Sequence, residues 1–286
     1  RVTEAVFAIE RAVELLADKL GMDAAELRIK NFIKAEQFPY QSALGWEYDS
    51  GDYHTAMKKA MDTIGYKELR EEQAKKREAF KRGETRELMG IGISFFTEIV
   101  GAGPAKNCDI LGIAMFDSAE IRIHPTGSVI ARMGTKSQGQ GHETTYAQII
   151  ATEIGIPADD IMIEEGNTDT APYGLGTYGS RSTPVAGAAT AVAARKIKAK
   201  AQMIAAHMLE VHEGDLEWDV DRFRVKGLPE KFKTMKEIAW AAYNSPPPNM
   251  EPGLEAVNYY EPPNMTYPFG AYFCVMDIDV DTGVAK

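Results

Sequence analysis

Cysteine is nearly missing from this chain: only Cys108 and Cys274 occur. Neither has a CxxC partner, so there is no disulfide framework, a reducing compartment is favoured over the secretory route, and both read as small buried hydrophobes. Long apolar runs are absent too, none approaching the ~18 residues of a membrane span. Positive charge is in deficit, 32 Lys and Arg against 42 Asp and Glu for a net −10. That argues against a surface built to grip nucleic acid or anionic lipid. No solenoid-length repeat or low-complexity tract appears. The 286 residues suffice to bury one large core or two ordinary ones without staples.

What is present is a helical first part and a strand-rich second. Val2, Val6, Ile9, Val13, Leu16 and Leu20 recur at helical spacing, predicting a helix with that stripe inward, closed by Gly21. Asp23 and Glu26 form a capping pattern for a short second helix. Residues 52–87 read as helical and densely charged. From residue 88 the texture becomes glycine-punctuated and β-like, with strands expected at 90–100, 107–116, 119–124, 128–133, 161–164, 223–225 and 272–280. Helices are expected at 143–154, 184–211 and 235–243. The proline clusters at 246–248 and 262–263 predict an extended loop. The fold class is α+β, with domains at 1–86 and 87–286. The last strand has no obvious partner before the chain stops, and both ends read as cut from something longer.

Two segments carry the chemistry. Residues 134–142 run Gly-Thr-Lys-Ser-Gln-Gly-Gln-Gly-His, and residues 174–183 run Gly-Leu-Gly-Thr-Tyr-Gly-Ser-Arg-Ser-Thr. Each joins glycines to hydroxyl or amide side chains and leads into an expected helix, where free N–H groups favour an anion. Residues 121–142 and 170–209 hold no Asp or Glu but do hold Arg122, Arg132, Lys136, Arg181, Arg195, Lys196, Lys198 and Lys200. The expectation is a locally positive field for an extended, phosphate-bearing ligand. Gly174, Gly176 and Gly179 match the dinucleotide fingerprint only formally, because no good strand precedes them and no acid follows about 20 residues on. Gln138 and Gln140 can donate to and accept from a heteroaromatic ring or an oxo group.

Other candidates are weaker. Asp277, Asp279 and Asp281 resemble the opening of a calcium loop, but Thr282 stands where Gly is required. His54, His124, His207 and His212 lack metal-type spacing, and Glu98 has no identifiable catalytic companion.

The two loops, with Arg1-Val2-Thr3-Glu4-Ala5 and Gly166-Asn167-Thr168-Asp169-Thr170, make the chain resemble the large subunits of aerobic molybdenum-containing carbon monoxide dehydrogenases, within the xanthine oxidase family of molybdenum hydroxylases. The resemblance runs from end to end. It implies a molybdenum-cofactor-binding fold of the xanthine oxidase type, residues 1–86 being the helical end of a first cofactor-binding domain and 87–286 a truncated second one. It implies that Gln138, Gly139, Gln140, Gly141 and His142, with Thr177, Tyr178, Gly179, Ser180, Arg181 and Ser182, hold molybdopterin cytosine dinucleotide. Gln140 would be the amide nearest the molybdenum oxo group.

The implied reaction oxidises CO with water to CO2 at a molybdenum–copper centre. Electrons would leave through a small [2Fe-2S] subunit and a medium FAD subunit in a dimer of heterotrimers, in the cytoplasm or at the inner face of the membrane, with no nucleic acid partner. The alternatives are a copper-free hydroxylase of aldehydes or N-heterocycles and a non-catalytic anion-binding module. The family's copper Cys lies in an Ala-Tyr-Arg-Cys-Ser-Phe-Arg loop, of which Arg1 matches the last residue. Its catalytic Glu lies in a Gly-Glu motif that Gly83-Glu84 does not match. No catalytic or metal-ligating residue is therefore assigned, and residues 1–286 alone are expected not to oxidise CO.

Overall fold

The computed structural model describes residues 2–104 and 114–286. Arg1, Cys108 and most of the strand expected at 107–116 lie outside the described residues. The chain forms two compact units, one of Arg1–Glu98 with Thr266–Lys286 and one of Ile99–Met265. These units divide at other points than the expected boundary between residues 86 and 87.

In the first unit, α1 (Val2–Leu20) is followed by α2 (Ala24–Asn31), whose N-terminus is capped by Asp23 accepting from the Ala25 and Glu26 amides. The expected apolar stripe of α1 does not face the core. Val2, Ile9 and Leu20 are 69%, 62% and 57% exposed, while Ala17 is buried and Val13 packs beside it. The cause is Arg28, buried under the helix. Its guanidinium pairs with Glu10 at 2.6 Å and Glu14 at 2.9 Å and also donates to the carbonyls of Ala24 and Ile93. A buried cation needs its carboxylates close, and that requirement turns the acidic face of α1 inward.

The charged run breaks at Gly65 into α3 (Tyr53–Ile64) and α4 (Tyr66–Lys81). Two short strands, β1 (Tyr40–Gln41) and β2 (Glu47–Tyr48), pair with each other. The last strand does have a partner: β11 (Phe269–Asp279) pairs antiparallel with β3 (Glu87–Thr97) along its whole length. Strand alternation sends Ile93, Phe95, Ala271 and Phe273 toward the helices. It leaves Tyr272, Cys274 and Met276 exposed, so Cys274 is not the buried hydrophobe expected of it.

The second unit is built on a four-stranded sheet. β4 (Asp117–Ile123) lies antiparallel to β5 (Val129–Met133) and to β10 (Glu255–Tyr260), and β5 runs parallel to β6 (Ile161–Glu165). The parallel pair needs a crossover, which α5 (His142–Ile154) supplies. One sheet face, with Ile121, Ile123, Ala131 and Met133, buries against Ile150 and Ile154 of α5 and against the Ala-rich α6 (Ala188–Leu209), which presents Ala193, Ile197 and Ala201. The alanines let the helix come close to the sheet.

β7 (Leu216–Asp219), β8 (Arg222–Val225), β9 (Leu228–Thr234) and α7 (Met235–Asn244) complete the unit. Strands β7, β9 and β10 were not expected from the sequence, and β10 lies inside what read as a proline-bounded loop. At the β7–β8 turn Val220 has φ of 53° and is 76% exposed. A β-branched residue there carries roughly 1–2 kcal/mol of strain with no packing to offset it. Val220→Gly is expected to stabilise the chain by about 1 kcal/mol. Urea unfolding checks this: a higher midpoint at unchanged slope is the expected result, and an unchanged midpoint counts against it.

Candidate functional site

The loop of residues 134–141 leaves the carboxyl end of β5 and delivers the chain to the N-terminus of α5. Its last residue, Gly141, is the helix N-cap with φ of 75°, and no side chain caps the first turn. The leading N–H groups of α5 therefore keep their donor capacity and the positive end of the helix dipole. Nothing lies within 4 Å of where a Cβ would stand at Gly139 or Gly141. Gln138, Gly139 and Gln140 are exposed. The Gln138 backbone N–H donates to Gln140 Oε1 at 2.5 Å, and Gln140 Nε2 donates to Gln138 Oε1 at 3.5 Å.

The base of this loop is polar and buried. Thr135 lies between the Tyr146 hydroxyl, 3.0 Å away, and Glu165 Oε1, to which it donates at 2.6 Å. The Ser137 amide donates to Glu165 Oε2 at 3.0 Å, and His142 Nδ1 lies 2.9 Å from Glu165 Oε1. Nδ1 of the His142 ring, which was expected at a ligand, is thus engaged inside the protein. Burial pushes the Tyr146 hydroxyl well above the usual phenol range, so it stays protonated and can donate.

The second loop crosses the first. Gly176 N–H donates to the Gly134 carbonyl at 3.3 Å, and Lys136 N–H donates to Thr177 Oγ1 at 3.2 Å. Ser182 Oγ reaches Thr177 Oγ1 at 3.3 Å, and the Tyr146 hydroxyl donates to the Ser182 carbonyl at 3.3 Å. The tip, Tyr178, Gly179 and Ser180, is exposed. A π-helical turn (Ser182–Gly187) then leads into α6. No strand precedes the glycines within residues 166–181, in keeping with the rejected dinucleotide fingerprint.

Arg181 is at the centre of the crossing and has no exposed side-chain surface. It pairs with Asp117, itself fully buried, and donates to the carbonyls of Ala102, Gly176, Met115 and Phe116. Burial pushes the Asp117 carboxyl above its usual range, opposed by the Ser118 amide and by the Arg181 charge. Arg181 therefore shapes the loop from below. Asp117, Glu165 and Tyr146 were not singled out from the sequence; for Asp117 the one signal is an arginine inside an acid-free window, which must find its carboxylate elsewhere.

The same point corrects the expected positive field. Arg122 pairs with Glu255, Arg132 with Glu120 and Glu164, and Arg195 with Glu153, all acids brought in from outside the windows. Lys198 lies over the Trp218 ring at 4.1 Å, and Lys196 and Lys200 donate to carbonyls. Lys136 is the loop cation without an ion pair among the described residues. It lines a cleft of about 420 Å³ together with Gly134, Asn167, Thr168, Tyr173 and Gly176. Attraction for an anion at the loops thus rests on backbone N–H groups and Lys136. Among the described residues no cluster of His, Cys, Asp and Glu could hold a metal ion, and no helix is long and apolar enough to cross a membrane.

The family model of the molybdopterin cofactor-binding domain matches residues 59–286. The chain is 88% identical over 286 residues to the carbon monoxide dehydrogenase large chain of Afipia carboxidovorans, covering 100% of this chain and 35% of that one. Among solved structures, a reconstituted CO dehydrogenase from Oligotropha carboxidovorans superposes with a TM-score of 0.92 at 88% identity, covering 100% of this chain and 36% of the other. Quinoline 2-oxidoreductase from Pseudomonas putida 86 superposes at 0.84 with 31% identity, covering 98% and 35%. The chain therefore spans about a third of the length of these relatives.

Proposed function

The chain belongs to the molybdopterin cofactor-binding domain family, and on that footing we propose that its two crossed glycine loops cradle molybdopterin cytosine dinucleotide in the large subunit of a CO-oxidising enzyme. One observation carries the reading: two loops, whose paired residues Lys136 and Thr177 are 41 apart in sequence, are stitched together at their bases while the amide and glycine tip of the first, Gln138 to Gln140, is exposed beside an uncapped helix N-terminus.

The residues present fit such a group. Gly139 and Gly141 leave their backbone N–H groups unshielded by side chains, and the acid nearest them in the first loop's base, Glu165, is 4% exposed and already accepts three hydrogen bonds. A phosphate would find these donors beside one exposed acid, Glu143 in the first turn of α5, with Lys136 as the counter-charge. Gln138 and Gln140 would hold the edge of a heteroaromatic ring, and Gln140 would be the amide nearest the oxo group. Bound there, the molybdenum group supplies the two-electron oxidation of CO with water to CO2. The chain's own part is to bind and orient it. Copper, the [2Fe-2S] and FAD subunits, the dimer of heterotrimers and a cytoplasmic or inner-membrane-face location complete the proposal.

The test uses the full-length subunit with its partner subunits. Extraction is expected to release a cytosine dinucleotide in proportion to molybdenum. Gln140→Ala is expected to weaken retention about tenfold, the worth of one good hydrogen bond. A complex that carries neither molybdenum nor dinucleotide overturns the reading in favour of a plain anion-binding module. Molybdenum without copper, with hydroxylation of an aldehyde or N-heterocycle and no CO oxidation, turns it to the copper-free hydroxylase that the likeness to quinoline 2-oxidoreductase favours.

A further inference from the structure

Glu165 closes β6 with its side chain 4% exposed, against a His142 side chain 7% exposed. Three donor groups converge on its two oxygens: Thr135 Oγ1 at 2.6 Å and His142 Nδ1 at 2.9 Å on Oε1, and Ser137 N at 3.0 Å on Oε2. That convergence suits an ionised carboxylate, which only accepts. The hydrogen between Glu165 and His142 must then sit on Nδ1. In the neutral ring this leaves Nε2 with a lone pair, and no described residue takes it. Nor is Nε2 among the fully enclosed polar atoms that lack a partner.

We propose that Glu165 is a positioning residue for the cofactor: it fixes His142 as the Nδ1–H tautomer, anchors the first glycine loop through Ser137, and so offers Nε2 as an acceptor to an N–H or amino group of the bound heteroaromatic ligand. The inference rests on the cofactor reading above. It deepens that reading by adding a residue from β6, outside both glycine loops, and by fixing the polarity of one contact. The logic is that of a carboxylate orienting an imidazole whose other nitrogen does the binding. Thr135 extends the device to α5, because its hydroxyl, donating to Glu165, can accept from the Tyr146 hydroxyl 3.0 Å away.

The experiment compares Glu165→Gln, His142→Asn and the double variant in the full-length subunit with its partner subunits, reading molybdenum and extractable cytosine dinucleotide per protomer after dialysis. In Glu165→Gln the amide can donate to Nδ1, which moves the ring hydrogen to Nε2 and turns the acceptor into a donor. Retention is expected to fall about tenfold, while the Tm of the cofactor-free protein moves by only a few degrees. In His142→Asn the amide can still donate to Glu165 but nothing replaces Nε2, so a similar loss is expected. The double variant is expected to lose no more than either single one, since both cut the same contact.

Nitrogen-15 spectra of labelled histidine give an independent readout that a merely structural role would not move. They are expected to show Nδ1–H for His142 in the wild type and Nε2–H in Glu165→Gln. Full retention in either single variant, or losses that add in the double, overturns the proposal; should Glu165→Gln fail to fold, His142→Asn decides alone. A wild-type complex without dinucleotide removes the cofactor reading and this inference with it. A loaded wild type beside equally loaded variants removes this inference only.

Discussion

Asp117→Ala is expected to destabilise the Ile99–Met265 unit by about 3–5 kcal/mol, the range for stripping one partner from a buried ion pair. Asp117 and Arg181 both have side chains with no solvent exposure. Removing the carboxylate leaves the guanidinium donating to the Ala102, Gly176, Met115 and Phe116 carbonyls with no other ion-pair partner among the described residues. Those carbonyls satisfy its N–H groups but do not neutralise it. Asp117→Asn keeps an acceptor and is expected to cost less. The pair Asp117→Leu with Arg181→Met, which removes both charges, is expected to lie nearer the wild type than Asp117→Ala does. Urea unfolding of the chain measures all three. A loss below about 1 kcal/mol for Asp117→Ala would mean that water or backbone movement relieves the stranded charge, and that the pair does not hold the loops together.

How legible that pair was depends on distance along the chain. Arg181 stood out because it sits in a glycine loop, but its partner lies 64 residues earlier at the start of β4. Nothing in the local pattern of an alternating strand marks its first residue as the counter-ion of a distant loop. The same holds for Glu165, which reads as the polar end of a buried strand. Local patterns did give the helices at 142–154, 188–209 and 235–244 and strands β3 to β6, since their periods of 3.6 and 2 are fixed by backbone geometry alone. They did not give the pairing of β11 with β3, whose partners are separated by the whole second unit.

The outward stripe of α1 shows a different limit. Periodicity finds an apolar face but does not say which face a helix buries. Here the buried Arg28 settles it, through Glu10 and Glu14. The charge map failed for a related reason. A window free of acids is a statement about sequence neighbours, whereas sheet pairing puts Glu120, Glu164 and Glu255 beside Arg122 and Arg132. What remained correct was the placement of the glycine loops at a helix N-terminus, because that follows from the order of elements and not from long-range pairing.

Gly134→Ala is expected to part the two loops, with a loss of about 2–3 kcal/mol in stability, as for overpacking a filled site. A Cβ at Gly134 would stand 2.5 Å from Asp117 Oδ1 and 2.7 Å from the Gly174 Cα, and one at Gly174 would stand 2.5 Å from the Gly134 Cα. The two backbones touch because neither residue has a side chain, and a carboxylate fills the remaining space. Asp117 cannot retreat without breaking its contact with Arg181, so the strain must fall on the loops and on the Gly176 to Gly134 hydrogen bond. Gly139→Ala is the control: it meets nothing within 4 Å, and its φ of 106° carries backbone strain without a clash. If the crossing places the tips, Gly134→Ala lowers both the urea midpoint and dinucleotide retention by the complex, while Gly139→Ala lowers the midpoint less. The combination with Asp117→Ala should cost less than the sum of the two, because removing the carboxylate opens the space that the new methyl needs. Strict additivity would show that the clash is relieved elsewhere and that Asp117 is not what fixes the distance between the loops.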